Sequence, residues 1–274
     1  MYKMVEAPVS ILWLAGGSCD GCTMAMLGAT APKIEELLLG QVSGFPAIEM
    51  IHPITALEAG TEYLAKLESA ASGGLSPLVL VVEGSLFDST QAGDGFFSGM
   101  GERNGKPCTV MDWLDRLTPQ ATAVIAIGTC ATWGGVPAAA GNPTGAMGLT
   151  DYLGSEFRSQ AGLPVINLPG CAPPGDNFIE TLSYLLLHLR NEVPLELDDL
   201  NRPRWLYPEV AHPQPAWVEY LPDQTYQDEQ LVACRVPLDG WMNHIGGCTN
   251  VGGACIGCTM PGFPDKHLAM NSEQ

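Results

Sequence analysis

Ser10-Ile11-Leu12-Trp13-Leu14-Ala15-Gly16-Gly17-Ser18-Cys19-Asp20-Gly21-Cys22 runs from a short apolar segment, through a glycine turn, into a Cys-x-x-Cys. A run of this length without polar alternation reads as a strand buried on both faces of a sheet. Three more runs share the form. Residues 78–82 lead into Glu83-Gly84-Ser85, residues 123–127 into Gly128, and residues 164–168 into Pro169-Gly170. Helical patterns lie between them. Residues 24–39 follow the first run, with Pro32 marking a break or a new start; residues 56–68 precede the second, residues 111–117 precede the third, and residues 178–190 follow the fourth.

Alternating strands and helices predict an α/β fold, a flavodoxin-like, doubly wound parallel sheet. The composition changes near Asn191. Pro194, Pro203, Pro208, Pro213, Pro215 and Pro222 follow, and then a tail rich in glycine and cysteine with little periodicity. We therefore expect residues 1–190 to form the sheet domain and residues 191–274 a smaller, loop-rich C-terminal domain that needs a staple. With 274 residues, 46% of them hydrophobic, the chain is long enough for both.

Thirty acidic residues against 12 basic give a formal net charge of −18. Such a field repels phosphate backbones and anionic lipids, which excludes nucleic-acid binding and membrane-surface adhesion as roles. Only 15% of residues are charged, which fits a chain that hides surface against a partner. No apolar stretch is long enough to span a bilayer, and residues 1–10 do not read as a secretory signal, so the expected location is cytoplasmic. In that compartment, nine cysteines point to metal or cluster ligation rather than to disulfides.

The cysteines fall into two groups. Cys19, Cys22, Cys130 and Cys171 each follow the carboxyl end of an expected strand. In an open α/β sheet those ends converge on one crevice, so residues distant in sequence should meet there. Four thiolates in one place are what a cubane cluster requires, and the neighbouring glycines let backbone come close to it. The second group, Cys234, Cys248, Cys255 and Cys258, lies within the loop-rich tail and suggests a second centre that holds it together. Other readings stand beside these. A Cys-x-x-Cys is also a redox dithiol or half of a zinc ribbon, and the tail group alone also suits structural zinc. The two Cys-x-x-Cys units are too far apart for a compact ribbon, whose halves lie about 15–20 residues from each other. Cys108 falls outside both groups and reads as an ordinary buried thiol.

On these motifs the chain resembles the small subunit of nickel–iron hydrogenases. The matching segments are Leu12-Trp13-Leu14, Ser18-Cys19-Asp20-Gly21-Cys22-Thr23, Val81-Val82-Glu83-Gly84-Ser85, Gly128-Thr129-Cys130-Ala131-Thr132-Trp133-Gly134-Gly135 and Pro169-Gly170-Cys171. The most specific are Gly240-Trp241-Met242-Asn243 and Cys255-Ile256-Gly257-Cys258-Thr259-Met260-Pro261-Gly262-Phe263-Pro264-Asp265-Lys266. The resemblance implies a proximal [4Fe–4S] cluster on Cys19, Cys22, Cys130 and Cys171, next to a nickel–iron centre in a large partner subunit. It implies a second cluster on Cys234, Cys255 and Cys258. Some members have proline and a [3Fe–4S] cluster where this chain has Cys248, and cysteine there favours [4Fe–4S].

The resemblance further implies an electron-transferring chain of a hydrogenase, inactive without the large subunit, with an acceptor it does not name and with a dimer of heterodimers compatible. Glu83, in the same crevice, has two readings: a carboxylate that assists proton movement or braces a ligand loop, and a structural cap. Family members usually hold a distal cluster through His-x-x-Cys and two later cysteines. Here Ala211-His212-Pro213-Gln214-Pro215 has proline in place of that cysteine, so a third cluster is not expected and His212 reads as a vestige or a structural residue. Gly21 and Gly135 stand where six-cysteine proximal sites carry their extra cysteines. Two rival readings remain: the related cluster-bearing subunit of respiratory complex I, which matches only the N-terminal part and typically has adjacent cysteines, and a non-catalytic zinc or structural protein.

Overall fold

The computed structural model describes residues 8–53, 60–211, 231–236, 247–248, 251–253 and 255–265. In chain order the elements are β1 (Val9–Ala15), α1 (Gly21–Leu27), α2 (Ile34–Leu38), β2 (Ile48–Ile51), α3 (Thr61–Ala71), β3 (Leu78–Glu83), β4 (Gly99–Arg103), β5 (Lys106–Thr109), α4 (Val110–Leu117), β6 (Ala123–Ile127), α5 (Gly128–Trp133), α6 (Leu149–Leu153), β7 (Ile166–Leu168), α7 (Gly175–Leu189), β8 (Glu209–Ala211) and β9 (Leu231–Ala233). β4 with β5, and β8 with β9, form separate antiparallel pairs.

The central sheet has five parallel strands in the order β2-β1-β3-β6-β7. This is the flavodoxin order, in which the chain reverses its direction of growth between β1 and β3. Successive side chains on a strand face opposite ways. Ile11, Trp13, Val79, Val81, Ile125 and Ile127 face one layer, where they meet Met26 of α1 and Phe178 and Leu182 of α7. Leu12, Leu14, Leu80, Val82, Val124 and Ala126 face the other, against Leu67 of α3 and Trp113 and Leu117 of α4. Both faces are covered, which is why the strands read as unbroken apolar runs.

The four expected strands are present, the last shortened to Ile166–Leu168. The expected helix over residues 24–39 is two helices, and the first begins at Gly21, so Cys22 lies in its opening turn. Asp20, in the left-handed region at φ 58°, turns the chain from the β1 loop into that helix. β2, α5 and α6 are additions to the sequence reading. Each has only four to six residues, too few to display a period. Leu206, Tyr207 and Ala233 join the α7-side core, so chain beyond residue 190 packs directly on the sheet.

Candidate metal-cluster sites

The carboxyl ends of β1 and β3 are joined at Ala15 and Glu83, and the two loops beyond them are tied together. Gly16 N–H donates to Glu83 O (2.8 Å), Gly17 N–H to Ser85 O (2.9 Å), and Ser85 N–H to Gly17 O (3.2 Å). This is the switch-point crevice, where an open α/β sheet leaves room for a ligand. Cys19 and Cys22 enter it from β1, Cys130 from the first turn of α5 after β6, and Cys171 from the loop after β7. All four are close enough to influence one another electrostatically. Cys22 is buried and Cys130 half-buried, whereas Cys19 and Cys171 reach the surface.

Glycines shape this site at two positions. Gly128 sits at φ +85°, and a Cβ there would overlap Cys22 Sγ. Gly135 sits at φ +59°, and a Cβ there would lie 2.7 Å from Cys130 Sγ. Any side chain would displace a thiol, besides straining the backbone. The Ser85 hydroxyl and the Val136 N–H lie beside the Cys130 sulfur and counter the rise that burial gives its pKa. The Ser85 hydroxyl donates its proton to the Gly134 carbonyl oxygen (2.7 Å).

Glu83 is buried, at 1% exposure, behind the first Cys-x-x-Cys. Its Oε1 accepts from Cys22 N–H (3.1 Å), and its Oε2 from Trp13 Nε1 (3.0 Å) and the Thr23 hydroxyl (2.6 Å). His52 Nε2 lies 3.1 Å from that hydroxyl, and its ring stacks at a tilt on Trp13, centroids 4.9 Å apart. Burial lowers the His52 pKa to about 4, against the opposing pull of Glu83, so the imidazole is neutral. The carboxylate thus braces the helix turn that carries Cys22.

Among the described residues, β9 is the regular element that leads into the second group, at Cys234. Cys234, Cys248, Cys255 and Cys258 line one cavity of about 170 Å³, whose wall also includes Cys171 and Thr259. Three of these sulfurs receive a backbone hydrogen bond: Cys234 from Val236, Cys255 from Gly257, and Cys258 from Cys171. The last joins the two groups directly. A second tie runs beside it. Thr129 donates through its hydroxyl to Cys258 O and accepts from Gly170 N–H (2.9 Å). Trp133 Nε1 donates to Thr259 O (3.1 Å).

A family model described as "NADH ubiquinone oxidoreductase, 20 Kd subunit" matches residues 19–185, more than half of the chain. The chain is 30% identical to the periplasmic NiFeSe hydrogenase small subunit of Desulfomicrobium baculatum, over 95% of this chain and 85% of that one. The chain belongs to the family of nickel–iron hydrogenase small subunits. It is also 33% identical to the hydrogenase-2 small chain of Escherichia coli K12, over 74% of this chain and 48% of that longer one. Among solved structures, the actinobacterial-type NiFe-hydrogenase from Ralstonia eutropha H16 superposes with a TM-score of 0.86 at 42% identity, covering 96% of this chain and 81% of that chain. The complex I model stops at residue 185, whereas hydrogenase relatives match through the cysteine tail, which decides between those two readings.

For a hydrogenase small subunit, the donor sets fit iron–sulfur clusters. All nine cysteines are free of disulfides. Burial, and then repulsion from Glu83 and neighbouring thiols, pushes the Cys22 thiol up; burial pushes Cys234 and Cys258 up to about 12. Thiolates crowded this way become favourable beside a bound cationic centre. The small subunit's Cys108 lies apart from both groups, buried among Trp113 and Leu114. His212 lies outside the described residues, and so does most of the segment over residues 240–254. Among the described residues no helix is long and apolar enough to cross a membrane. Ser85, Thr129 and Thr259 escaped the sequence reading as site residues. Their only signal is that each stands one or two positions from a ligand cysteine or from Glu83.

Proposed function

We propose that this chain relays electrons between the nickel–iron centre of a hydrogenase large subunit and an external acceptor, through two [4Fe–4S] clusters and no distal third. The observation that carries the reading is that Cys234, Cys248, Cys255 and Cys258 line one cavity together with Cys171 of the first group. In this reading Cys19, Cys22, Cys130 and Cys171 hold the proximal cluster, and Cys234, Cys248, Cys255 and Cys258 hold the second. When bound, such clusters supply one-electron redox centres tuned by hydrogen bonds and burial.

The chain's own residues do the rest. Glu83 fixes the Cys22 turn, Ser85 and the Val136 N–H stand beside the Cys130 sulfur, and the sheet buries Cys22. Cys19 and Cys171 are exposed, and Met24, Leu27 and Val136 nearby in sequence expose apolar side chains, as a surface covered by a large subunit would. Residues 1–190 would be the proximal-cluster domain and residues 191–274 the second-cluster domain. The acceptor would dock on the side of the second group, and a dimer of heterodimers could share that face. Free thiols throughout fit a cytoplasmic setting, although the relative from D. baculatum is named periplasmic.

Purification with the native large subunit, followed by iron and sulfide counting, EPR and a hydrogen-uptake assay, tests the reading. Two cubanes give about eight irons with matching sulfide. Zinc without sulfide overturns the proposal, and about twelve irons overturns the two-cluster count.

A further inference from the structure

Tyr207 joins the ligand loops of both cysteine groups. On either side of it in the chain, Pro208 O accepts from Cys234 N–H (3.1 Å) and Leu206 O accepts from Arg235 N–H (3.2 Å). Its main chain is therefore laid against the segment that carries Cys234. Its side chain reaches the other way. The phenol hydroxyl donates to Pro169 O (2.8 Å), two residues before Cys171. Tyr207 is buried, at 4% exposure, and belongs to the cavity wall that includes Cys171, Cys234 and Cys258. Both Cys234 and Cys258 are close enough to act on its hydroxyl electrostatically. The ring is held in place as well. Asn177, in the first turn of α7, stands beside the hydroxyl, and the Arg202 guanidinium lies 5.6 Å from the ring centroid. A second tie holds the next residue of the same loop. Thr129 of α5 donates through its N–H to Gly170 O (3.0 Å), and its hydroxyl accepts from Gly170 N–H (2.9 Å). The Cys171 loop is thus gripped by the sheet domain at Gly170 and by chain beyond residue 190 at Pro169.

We propose that Tyr207 is a positioning residue for electron transfer between the two clusters, a strut from the Cys234 segment to the Cys171 loop that fixes their separation. The inference rests on the two-cluster reading above. One electron passes from the proximal cluster, which is oxidised, to the second, which is reduced, and Tyr207 neither gains nor loses a proton. Tunnelling between fixed centres falls exponentially with their separation, so the residues that lock the ligand loops set the rate without touching the metal. The hydroxyl is the part that matters here. Without it Pro169 O loses a buried donor, and the loop keeps only the grip at Gly170.

The test compares wild type, Tyr207→Phe and Asn177→Ala in the purified complex with its large subunit. Freeze-quench EPR after mixing with hydrogen reads how fast the second cluster is reduced. EPR of the fully reduced complex reads the magnetic coupling between the clusters. Phenylalanine keeps the ring and removes the hydroxyl. It is expected to slow reduction of the second cluster severalfold and to weaken the coupling, with both reduction potentials unchanged. Hydrogen exchange over residues 169–172 should rise about fivefold, the equivalent of one net hydrogen bond. Asn177→Ala is expected to produce a smaller change in the same direction. Wild-type rate and coupling in the phenylalanine protein overturn the inference, whether or not exchange rises. So does a shift of the second potential large enough to account for the slower transfer, which would make tuning the cause. If the phenylalanine protein fails to hold its second cluster, Asn177→Ala decides: weaker coupling supports the strut, and wild-type coupling overturns it. About four irons in the wild-type complex would instead overturn the two-cluster reading, and this inference with it.

Discussion

The two cysteine groups are built on opposite principles. The first is mounted on the ends of β1, β6 and β7, with both faces of the sheet buried under helices. Its loops are tied by backbone bonds and by Glu83 before any metal is considered. Among the described residues the second group has only β9 beside it, and its chain is hydrogen-bonded to the first group's α5. A sheet pre-organises a site, whereas a short loop-rich segment draws its order from what it binds. The proximal site should therefore outlast the second under any insult directed at metal, and the second should yield first.

Removal of iron by a chelator under reducing conditions is the strongest way to break this contrast. Hydrogen exchange should rise by orders of magnitude in peptides over residues 231–265 and stay slow over residues 78–83 and 123–127. Equal loss of protection in both would refute the difference. Next in size is Glu83→Ala. It leaves the Trp13 indole and the Cys22 amide without their buried acceptor, while the Thr23 hydroxyl keeps His52 as a partner. At about 1–3 kcal/mol for each of the two orphaned groups, stability should fall by at least about 2 kcal/mol. Iron content should drop by about half as the proximal cluster is lost, while the EPR signal of the second persists.

Gly128→Ala targets the same site through sterics. The added methyl meets Cys22 Sγ at a positive φ, at a backbone cost of about 1–3 kcal/mol. Weaker or absent proximal EPR intensity, with a lower melting temperature, is the expected result. Thr129→Val acts on the tie between the groups. It should cost about 1–3 kcal/mol and reduce the magnetic coupling between the two clusters, and Thr129→Ser should restore both. The smallest effect belongs to Glu180→Gln. This weakens the two-pronged pair of Arg235 with α7 (3.0 and 2.8 Å), beside Cys234. The partners are partly exposed, so the loss should stay below about 1 kcal/mol and shrink with added salt in thermal unfolding.

Much of the fold was legible because its signals are local. An apolar run of five or six residues ending in glycine is a buried parallel strand, and four such runs were enough for the doubly wound sheet. What escaped was either short or dependent on distant chain. β2 occupies the edge, with Glu49 partly exposed, and so lacks the unbroken apolar character of the inner strands. α5 packs six residues between a strand and a glycine turn, too few for a helical period, yet it is the element that carries Cys130. Glu83 was a candidate because it ends a strand. That its two oxygens divide between Cys22 on one side and Trp13 and Thr23 on the other depends on the register of β1 against β3.

By itself the sequence determined the fold class, the eight candidate ligands in two groups of four, and the resemblance to hydrogenase small subunits. All of these are written in residue type and spacing, which need no coordinates. Only the tertiary structure decided that Cys171 shares a cavity wall with Cys258, and that Thr129 grips a carbonyl 129 positions away. Such contacts join loops whose separation is set by parallel strand order and register, and those are properties of the whole sheet that no single segment encodes.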